Sequence, residues 1–430
     1  MTAVEVAAAP GTYPVPIGRG RWRVVLHNRM FASTDWRSTI VAELRDAYGR
    51  RLDQAWDSAA QFTFTLDGRG TAAALVTELA TDVTAWRWDD QTGADVCVFR
   101  GIITQAEDQI TENSHVVTFT AHDYLAMLAR RGTTTTLTYT QTDQDGIAAA
   151  FVTLARSVAS SSGQSFAPGV FLPIQAIACA PDGSSRSSSA ALGAPLRDRT
   201  YPASSTLDQM LDDLAKVDSG FDYDLVPAPA LPTSQLPAGM DAVRIFYPYQ
   251  GVQRTDLVFA YGVHLSTVTR STTSSDYANY WRVVGNNGSS DPAAPQLFAE
   301  RWNSDANNVT VTPLGLWQSF DNAADVTDVN TLAQKAQGDL NTSGLLVPTY
   351  NIGLRPGVYS WGNPRMGESI RLVIISGRLR VDTYVRVMGI SYAIGTDGDE
   401  VVSLTVGRPT RTLTELLTQA DRDVDALTRR

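Results

Sequence analysis

Lysine is almost absent from this chain of 430 residues: Lys216 and Lys335 are the only two, and the remaining 33 basic residues are arginine. With 45 acidic residues, the formal net charge is −10. Nucleic acid or an anionic membrane as the main partner would require an excess of clustered cations, so the charge balance argues against both. The preference for arginine is typical of a GC-rich coding sequence and carries no chemistry by itself.

Cysteine and long apolar runs are scarce as well. Cys97 and Cys179 lie far apart without a CxxC partner, which argues against a disulfide framework or zinc site and predicts two reduced, partly buried thiols. Apolar runs such as Leu372–Ile375 are far shorter than the ~18 residues of a membrane span. The N-terminus has no basic region and Glu5 interrupts its apolar stretch, so we expect neither a secretory signal nor stable membrane insertion.

The residues that are present favour a folded, mainly β protein with α+β insertions. Hydrophobic residues make up 43% and aromatic residues 9%, which is enough to build a core and excludes disorder of the whole chain. Charged residues are only 19%, and Thr, Ser, Gly and Ala take their place. The length predicts two to four domains.

The first third of the chain shows the period-two alternation of half-buried strands. Phe62–Leu66 and Val116–Ala121 are examples, and Trp86–Phe99 predicts a hairpin with a longer loop. A short helix begins at about Asp123, a suitable N-cap residue. We therefore predict an N-terminal β domain over residues 1–131.

Residues 132–250 are predicted to form a mixed α/β lobe. One helix covers about 142–158, and a second follows a capping box formed by Thr206 and Gln209. Between the helices, residues 159–205 are rich in Ser, Ala and Pro and are expected to form an extended loop or an insertion. Two strands complete the lobe, over 221–226 and 243–247.

The rest of the chain returns to strands. Residues 251–410 are predicted to form a second β domain with a helix near 326–340. Its strands are expected over 280–284, 347–354, 369–375, 384–393 and 401–406. Residues 411–430 predict an amphipathic helix with heptad-like apolar spacing, at Leu413, Leu417, Ala420, Val424 and Leu427.

Nucleotide and metal motifs are missing. Neither lysine stands in a Gly-Lys-Ser/Thr sequence, so there is no P-loop. None of the four histidines stands in an HExxH motif, and no two of them are four residues apart. They are His27, His115, His122 and His264. Asp143–Gly146 resembles the start of a calcium loop, but Leu154 occupies the place of the bidentate Glu, so these carboxylates are expected to complement a helix dipole. We predict no cofactor and no metal site.

Hydrolase motifs are missing as well. No GxSxG sequence occurs, and a glycosidase would need two facing carboxylates. The chain offers only adjacent pairs, at Asp89–Asp90, Glu107–Asp108 and Asp212–Asp213. Neighbours on a strand point to opposite faces, and Asp212–Asp213 are expected on the solvated face of a helix. We therefore predict no catalytic residue and no enzymatic activity.

An ordered set of motifs over about residues 20–408 resembles one protein family. The set comprises Val98–Ile103, Val116–Ala121 running into His122–Leu125 and Arg130–Arg131, Thr142–Ala148, Arg199–Tyr201, the capped helix Thr206–Phe221 with Tyr223, Met366–Glu368 and the hairpin Val385–Val406. It resembles the minor tail proteins of long-tailed, siphovirus-type bacteriophages that infect actinobacteria. That group is similar in fold to the tail-tip or baseplate hub proteins of other tailed phages. The Ser-rich residues 159–198 depart from the pattern.

The resemblance implies two barrel-like hub domains, peripheral lobes and a C-terminal helix in each subunit of a homotrimeric ring. Such a ring would join the hexameric tail end, through the distal tail protein, to the other tail-tip proteins of the virion after assembly in the host cytoplasm. Its lumen would let the tape measure protein and then DNA pass without specific binding. The acidic charge balance suits such a conduit.

Two other functions stay open. A tail-associated carbohydrate-binding or glycan-hydrolysing protein would use the 9 Trp and 15 Tyr, although we find no repeat and no opposed carboxylates on adjacent strands. A cellular β-sandwich protein of monomeric mass is the third interpretation. The native mass and symmetry of the protein would distinguish the ring from the monomer.

Overall fold

Strands make up most of the computed structural model, as the alternating sequence predicts. None of the helices that it describes has the length and apolar character needed to cross a membrane. The structure describes residues 22–28, 39–89, 92–156, 172–186, 189–190, 193–217, 219–228, 239–272, 274, 277–287, 295–303, 315–323, 326, 328–344, 348–355, 357–358, 362–395 and 400–407. The predicted helix over 411–430 lies outside these residues.

The chain divides into two units. Unit 1 comprises residues 1–215, 221–268 and 351–406, and unit 2 comprises residues 216–220, 269–350 and 407–430. The predicted division into domains at residues 131, 250 and 410 stays a prediction.

Unit 1 is built on a large sheet that takes strands from both ends of the chain. The first seven strands are β1 (Trp22–Asn28), β2 (Ile40–Glu43), β3 (Tyr48–Ala55), β4 (Gln61–Asp67), β5 (Thr81–Asp89), β6 (Ala94–Ile110) and β7 (His115–Asp123). The later ones are β13 (Gln253–Ala260), β14 (Leu265–Ser271), β18 (Thr349–Leu354), β19 (Ser369–Ser376), β20 (Leu379–Ile394) and β21 (Glu400–Gly407). Their order is β14-β18-β21-β20-β3-β4-β7-β6-β5-β1-β2, with β19 joining β13 to β20.

Two unusually long strands hold this sheet together. β6 pairs with β5 along its first half and with β7 along its second half. β20 pairs with β19 over Leu379–Arg386 and with β3 over Gly389–Ile394. Because β20 joins β3, strands of the two predicted β domains merge into one sheet. The described strands of that sheet form an open path, and the two barrel-like hub domains that the resemblance implies stay a prediction.

The predicted α/β lobe is present in unit 1. It contains β8 (Leu137–Thr142), α1 (Gln144–Arg156), β9 (Ile174–Cys179), β10 (Arg197–Tyr201), α2 (Leu207–Ala215), β11 (Asp222–Val226) and β12 (Asp241–Phe246). α1 and α2 bury apolar side chains such as Phe151 and Leu211 in one cluster with Tyr124 and Phe221. A short 3-10 helix, Tyr124–Arg130, begins where Asp123 was predicted to cap it, and the Asp123 carboxylate accepts from Leu125 N at 3.0 Å.

Two expectations for the lobe were wrong. Residues 159–205 are not an extended loop throughout, because their described part contributes β9 to one sheet and β10 to another. Thr206 does not complete a capping box, because its hydroxyl is buried and makes no hydrogen bond to the described residues. The backbone N–H of Leu207 instead donates to Arg131 O at 2.9 Å. This hydrogen bond anchors the start of α2 to the end of the 3-10 helix Tyr124–Arg130.

Unit 2 contains a three-stranded sheet and the predicted helix. β15 (Tyr280–Gly285) lies between β16 (Phe298–Trp302) and β17 (Gln318–Ala323), and α3 (Val329–Ser343) packs on one face. The packed side chains are Val283, Ala299, Ala323, Leu332 and Ala336. A Cβ at Gly285 would lie 2.7 Å from the Leu332 side chain, so this close helix–sheet packing requires glycine.

Candidate functional site

The four histidines have polar partners within the protein. His27 is fully buried, and its ring lies 2.9 Å from the Thr84 hydroxyl. Each of the others has a similar neighbour: His115 with Asp108 Oδ1 at 2.7 Å, His122 with Thr104 Oγ1 at 2.8 Å, and His264 with the backbone N–H of Ala260 at 3.1 Å. In the part of the chain that the structure describes, no group of three or more His, Cys, Asp or Glu could hold a metal ion.

The adjacent carboxylates are not brought together into facing pairs. Glu107 and Asp108 are exposed on the second half of β6, and Asp89 accepts from Thr92 Oγ1 at 2.8 Å. Asp90 lies outside the described residues. Asp213 is exposed as predicted, but Asp212 is not on a solvated face.

Asp212 instead accepts a hydrogen bond from the Tyr223 hydroxyl at 2.6 Å. The same hydroxyl lies 3.0 Å from the backbone oxygen of Asp57, and Tyr223 N donates to the Asp57 carboxylate at 2.7 Å. Burial, and then the nearby Asp222 carboxylate, raise the pKa of Asp57 well above its usual range. This polar cluster ties the β3–β4 turn to α2 and β11.

The calcium-like run has the structural role that was expected of it. The Asp145 carboxylate pairs with Arg186, and Asp143 accepts from Asp145 N at 3.2 Å at the start of α1. The prediction of two buried thiols is confirmed, because Cys97 and Cys179 are both free and both buried.

The charged side chains that the structure does bring together are buried arginine–carboxylate pairs that join distant parts of the sequence. Three of them, all in unit 1, we call the three arginine anchors: Arg100–Asp241, Arg386–Asp222 and Arg87–Glu400. Arginine suits such positions because its planar fork satisfies several acceptors at once and stays charged.

Arg100 is the deepest of the arginine anchors. Its Nη1 donates to Asp241 Oδ1 at 2.7 Å and to Gly239 O at 2.8 Å, and both charged side chains are fully buried. Its guanidinium carbon lies 5.3 Å from the centre of the Tyr124 ring. The pair therefore links β6 of the large sheet to β12 of the lobe.

Arg386 makes the second arginine anchor, between β20 and the lobe. Its guanidinium donates to Asp222, to Gln250 O at 2.8 Å and to Gly367 O at 3.0 Å. The guanidinium also lies 4.8 Å from the Trp56 ring centre, which adds a cation–π contact. One side chain thus connects Asp222 and Gln250, which lie 164 and 136 positions before it, to the nearby Gly367.

The third arginine anchor joins β5, from the first part of the chain, to β21, the last strand of the large sheet. Arg87 on β5 binds Glu400 on β21 through two nitrogens, at 3.1 and 2.8 Å, although the two residues are 313 positions apart. Both side chains are only 8% exposed. A buried pair of this kind contributes little net stability, but losing one partner is costly, so it specifies one arrangement of the strands.

Sequence reasoning did not single out the residues of the arginine anchors. A usable signal was present, because Arg100 interrupts the apolar run Val98–Ile103 and Arg386 stands between Val385 and Val387. A charge in such a run is expected to be either misplaced or paired. The identity of the partner was not readable, since the three carboxylates lie 141, 164 and 313 positions away.

Comparisons with known proteins identify the fold. No protein-family model and no curated protein matches the sequence. Among solved structures, the chain is similar to the 43 kDa tail protein of prophage MuSo2 from Shewanella oneidensis, with a TM-score of 0.54 and 11% identity over 91% of this chain and 99% of that one. It is also similar to a tail protein from Neisseria meningitidis MC58, with a TM-score of 0.53 and 10% identity over 90% and 96% of the two chains. The chain therefore has the mainly β fold of these phage-type tail proteins over nearly its whole length.

Proposed function

We propose that this protein is a structural component of a bacteriophage tail. The single observation that carries the proposal is the fold match, which covers 91% of this chain and 99% of the Shewanella prophage tail protein. At 11% identity the match is one of architecture, and fold alone does not determine function. The order of motifs noted in the sequence supports the same assignment independently of the match.

In its finer form, the proposal is a homotrimeric hub ring at the tail tip of a siphovirus-type phage of actinobacteria. Two β hub domains per subunit would make a ring of pseudo-six-fold symmetry that joins the hexameric tail end, through the distal tail protein, to the other tip proteins. The tape measure protein and DNA would pass through its lumen. A net charge of −10 per chain favours passage over binding, because phosphates are repelled by acidic walls.

The arrangement of unit 1 supports a structural role. The arginine anchors join the lobe to β6 and β20, and they join β5 to β21. They specify one geometry, which a ring subunit needs if its faces are to match those of its neighbours. The histidines and those adjacent carboxylates that the structure describes serve internal contacts or lie exposed. We accordingly propose a function without enzymatic activity.

The native mass tests the proposal. Light scattering of the purified chain should give a species of three times 46.5 kDa, and averaged particle images should show three-fold symmetry. After mixing with the distal tail protein of the same phage, a heavier complex should contain three copies of this chain. A monomer at every concentration, with and without that partner, would reject the hub ring. Absence of the chain from purified virions would reject the tail assignment altogether.

A further inference from the structure

Among the described residues of unit 2, α3 packs on only one face of the small sheet. α3 covers the face that carries Val283, Ala299 and Ala323. Because side chains alternate along a strand, the neighbouring positions point to the opposite face. The register places six of them in adjacent rows, which we call the open aromatic face: Tyr280, Arg282, Phe298, Glu300, Trp302 and Phe320.

The rings of this face are unusually exposed for their size. Trp302 is 52% and Phe320 is 63% exposed. Tyr280 pairs with Trp302 across the strands, and their rings are nearly parallel, inclined by 18° with centres 6.4 Å apart. An exposed apolar cluster of this kind is typical of a binding surface rather than of an ordinary solvated sheet.

The two charged side chains of the face, Arg282 and Glu300, pair with each other. Arg282 Nη1 lies 3.4 Å from Glu300 Oε1, and the guanidinium carbon lies 3.9 Å above the Phe298 ring. Burial, and then a hydrogen bond with Glu300, raise the pKa of the Tyr280 hydroxyl, so this phenol stays neutral at physiological pH. A charged ligand would have to break the Arg282–Glu300 pair, whereas a neutral polar ligand can bind beside it.

The size of the face argues against a large partner. Five or six residues per strand and three strands give a surface of about 20 by 15 Å, or roughly 300 Å². A stable protein–protein interface buries about 800 Å² on each partner. The face therefore matches a ligand of two or three small rings better than it matches a protein.

From these observations we propose that the open aromatic face of unit 2 binds a neutral pyranose oligosaccharide. One face of a pyranose carries C–H groups with partial positive charge, and it packs on the negative face of an aromatic ring. The sugar hydroxyls would donate to Glu300 and accept from Arg282, and bonds to charged groups are the stronger kind. This inference does not rest on the proposed tail function.

The site is built for binding rather than hydrolysis. Glycoside hydrolysis by the usual route needs two carboxylates that flank the bond, and Glu300 is the single carboxylate among the six side chains of this face. Asp321, the acidic neighbour on β17, lies on the opposite face and pairs with Lys335 of α3 at 3.0 Å.

The test uses the full chain and three neutral probes: chitohexaose, cellohexaose and maltohexaose, each titrated into the millimolar range by calorimetry. We expect at least one to bind, and Trp302→Ala to weaken that binding by about tenfold or more. Phe320→Ala should weaken it by a smaller factor. Binding should be the same at low and high salt, because the ligand is uncharged.

The matched control is Val329→Ala, which removes a side chain that is 47% exposed in the same unit but lies on α3, the helix that packs on the opposite face of the sheet. It should leave the affinity within about twofold of the original. Thermal unfolding is measured for each variant, and Trp302→Phe, which keeps a ring, replaces Trp302→Ala if the latter fails to fold.

Three outcomes would overturn the proposal. One is that none of the three probes binds. Another is that binding survives both Trp302→Ala and Phe320→Ala. The third is that Trp302→Ala lowers the native mass of the protein while sugar binding is absent, which would assign the face to a protein interface.

Discussion

Units 1 and 2 use the same residue types in opposite places. Unit 1 buries its large rings, such as Tyr124 and Phe151, and encloses the charged pair Arg100–Asp241 completely. In unit 2 the cluster under α3 consists largely of alanine, while the rings of the open aromatic face are exposed, Phe320 by 63%. Its ion pairs are exposed too, since the side chains of Lys335 and Asp321 are 42% and 39% accessible.

This difference indicates that the residues of unit 1 serve stability and that the exposed residues of unit 2 serve binding. Burying rings and paired charges stabilises and specifies one arrangement, which suits the lobe and large sheet of unit 1. Exposing rings forgoes that stabilisation and is retained where a surface binds something. The contrast therefore predicts that substitutions in unit 1 change stability, whereas surface substitutions in unit 2 change binding.

The largest effect is expected at the deepest arginine anchor. Arg100→Met should lower the free energy of unfolding by about 3–5 kcal/mol, because it leaves the buried Asp241 carboxylate without its counter-charge and with only the backbone N–H of Ala228 donating to it. Urea denaturation measures this. Adding Asp241→Leu should restore much of the loss, since it removes the orphaned charge.

Arg371→Met is the matched control for Arg100→Met. Arg371 pairs with Asp382 at 2.8 Å, but both side chains are about half exposed, so its loss should cost no more than about 1 kcal/mol. Equal effects of the two substitutions would contradict the distinction between buried and exposed pairs.

Truncating one core leucine in each unit sharpens the comparison. Leu211→Ala in α2 should cost about 2–5 kcal/mol, because its large neighbours cannot collapse into the cavity. Leu332→Ala in α3 should fall at the lower end of that range, since small alanines surround it. Urea denaturation measures the first, and hydrogen exchange of β15 amides measures the second.

Val329→Ala provides the control on α3, because that side chain is 47% exposed. It should change stability by less than about 0.5 kcal/mol. If it destabilised β15 as much as Leu332→Ala does, the assignment of the unit 2 core would be wrong.

The buried acids of unit 1 should make its stability depend on pH. Burial raises the pKa of Asp123 to about 7, although backbone N–H groups of Ala60 and Leu125 oppose the shift. Between about pH 4 and pH 7 the folded state then holds one more proton than the unfolded state, so stability falls as pH rises through this window. The slope reaches about 1.4 kcal/mol per pH unit for one group.

Asp123→Asn should remove this component, which urea denaturation at both ends of the window would show. Asp382→Asn is the control, because Arg371 holds the pKa of the exposed Asp382 carboxyl below its usual range, where it cannot titrate in this window. Parallel pH profiles for Asp123→Asn and the original chain would contradict the assignment.

The smallest effects concern helix caps, and here the larger loss of stability is expected in unit 2. Thr206→Ala before α2 should cost clearly less than the ~1 kcal/mol of a lost N-cap, because the Thr206 hydroxyl makes no hydrogen bond to the described residues. Asp328→Ala should cost about 1 kcal/mol, since Asp328 caps α3 by accepting from Thr331 N at 2.8 Å. Thermal unfolding of both variants decides the order.

The local alternation of apolar and polar residues predicted many strands but missed those in which the alternation is weak. β4 and β7 were readable because Phe62–Leu66 and Val116–Ala121 alternate cleanly. β16 and β17 were not predicted, since both are short edge strands of a small sheet and carry exposed rings. Thr206 and Gln209 have the sequence of a capping box, yet a backbone hydrogen bond from Leu207 to Arg131 determines how α2 begins.

The amino-acid sequence by itself determined the mainly β class, the positions of the three α-helices, the free thiols and the acidic balance, because these depend on composition and on short-range periodicity. Only the tertiary structure decided which strands share a sheet, which carboxylate each buried arginine meets, and which face of β15–β17 stays open. Those are contacts between residues far apart in the chain, and they depend on the register and on a long strand, β20, that changes partners midway. No local pattern encodes a partner that lies 313 positions away.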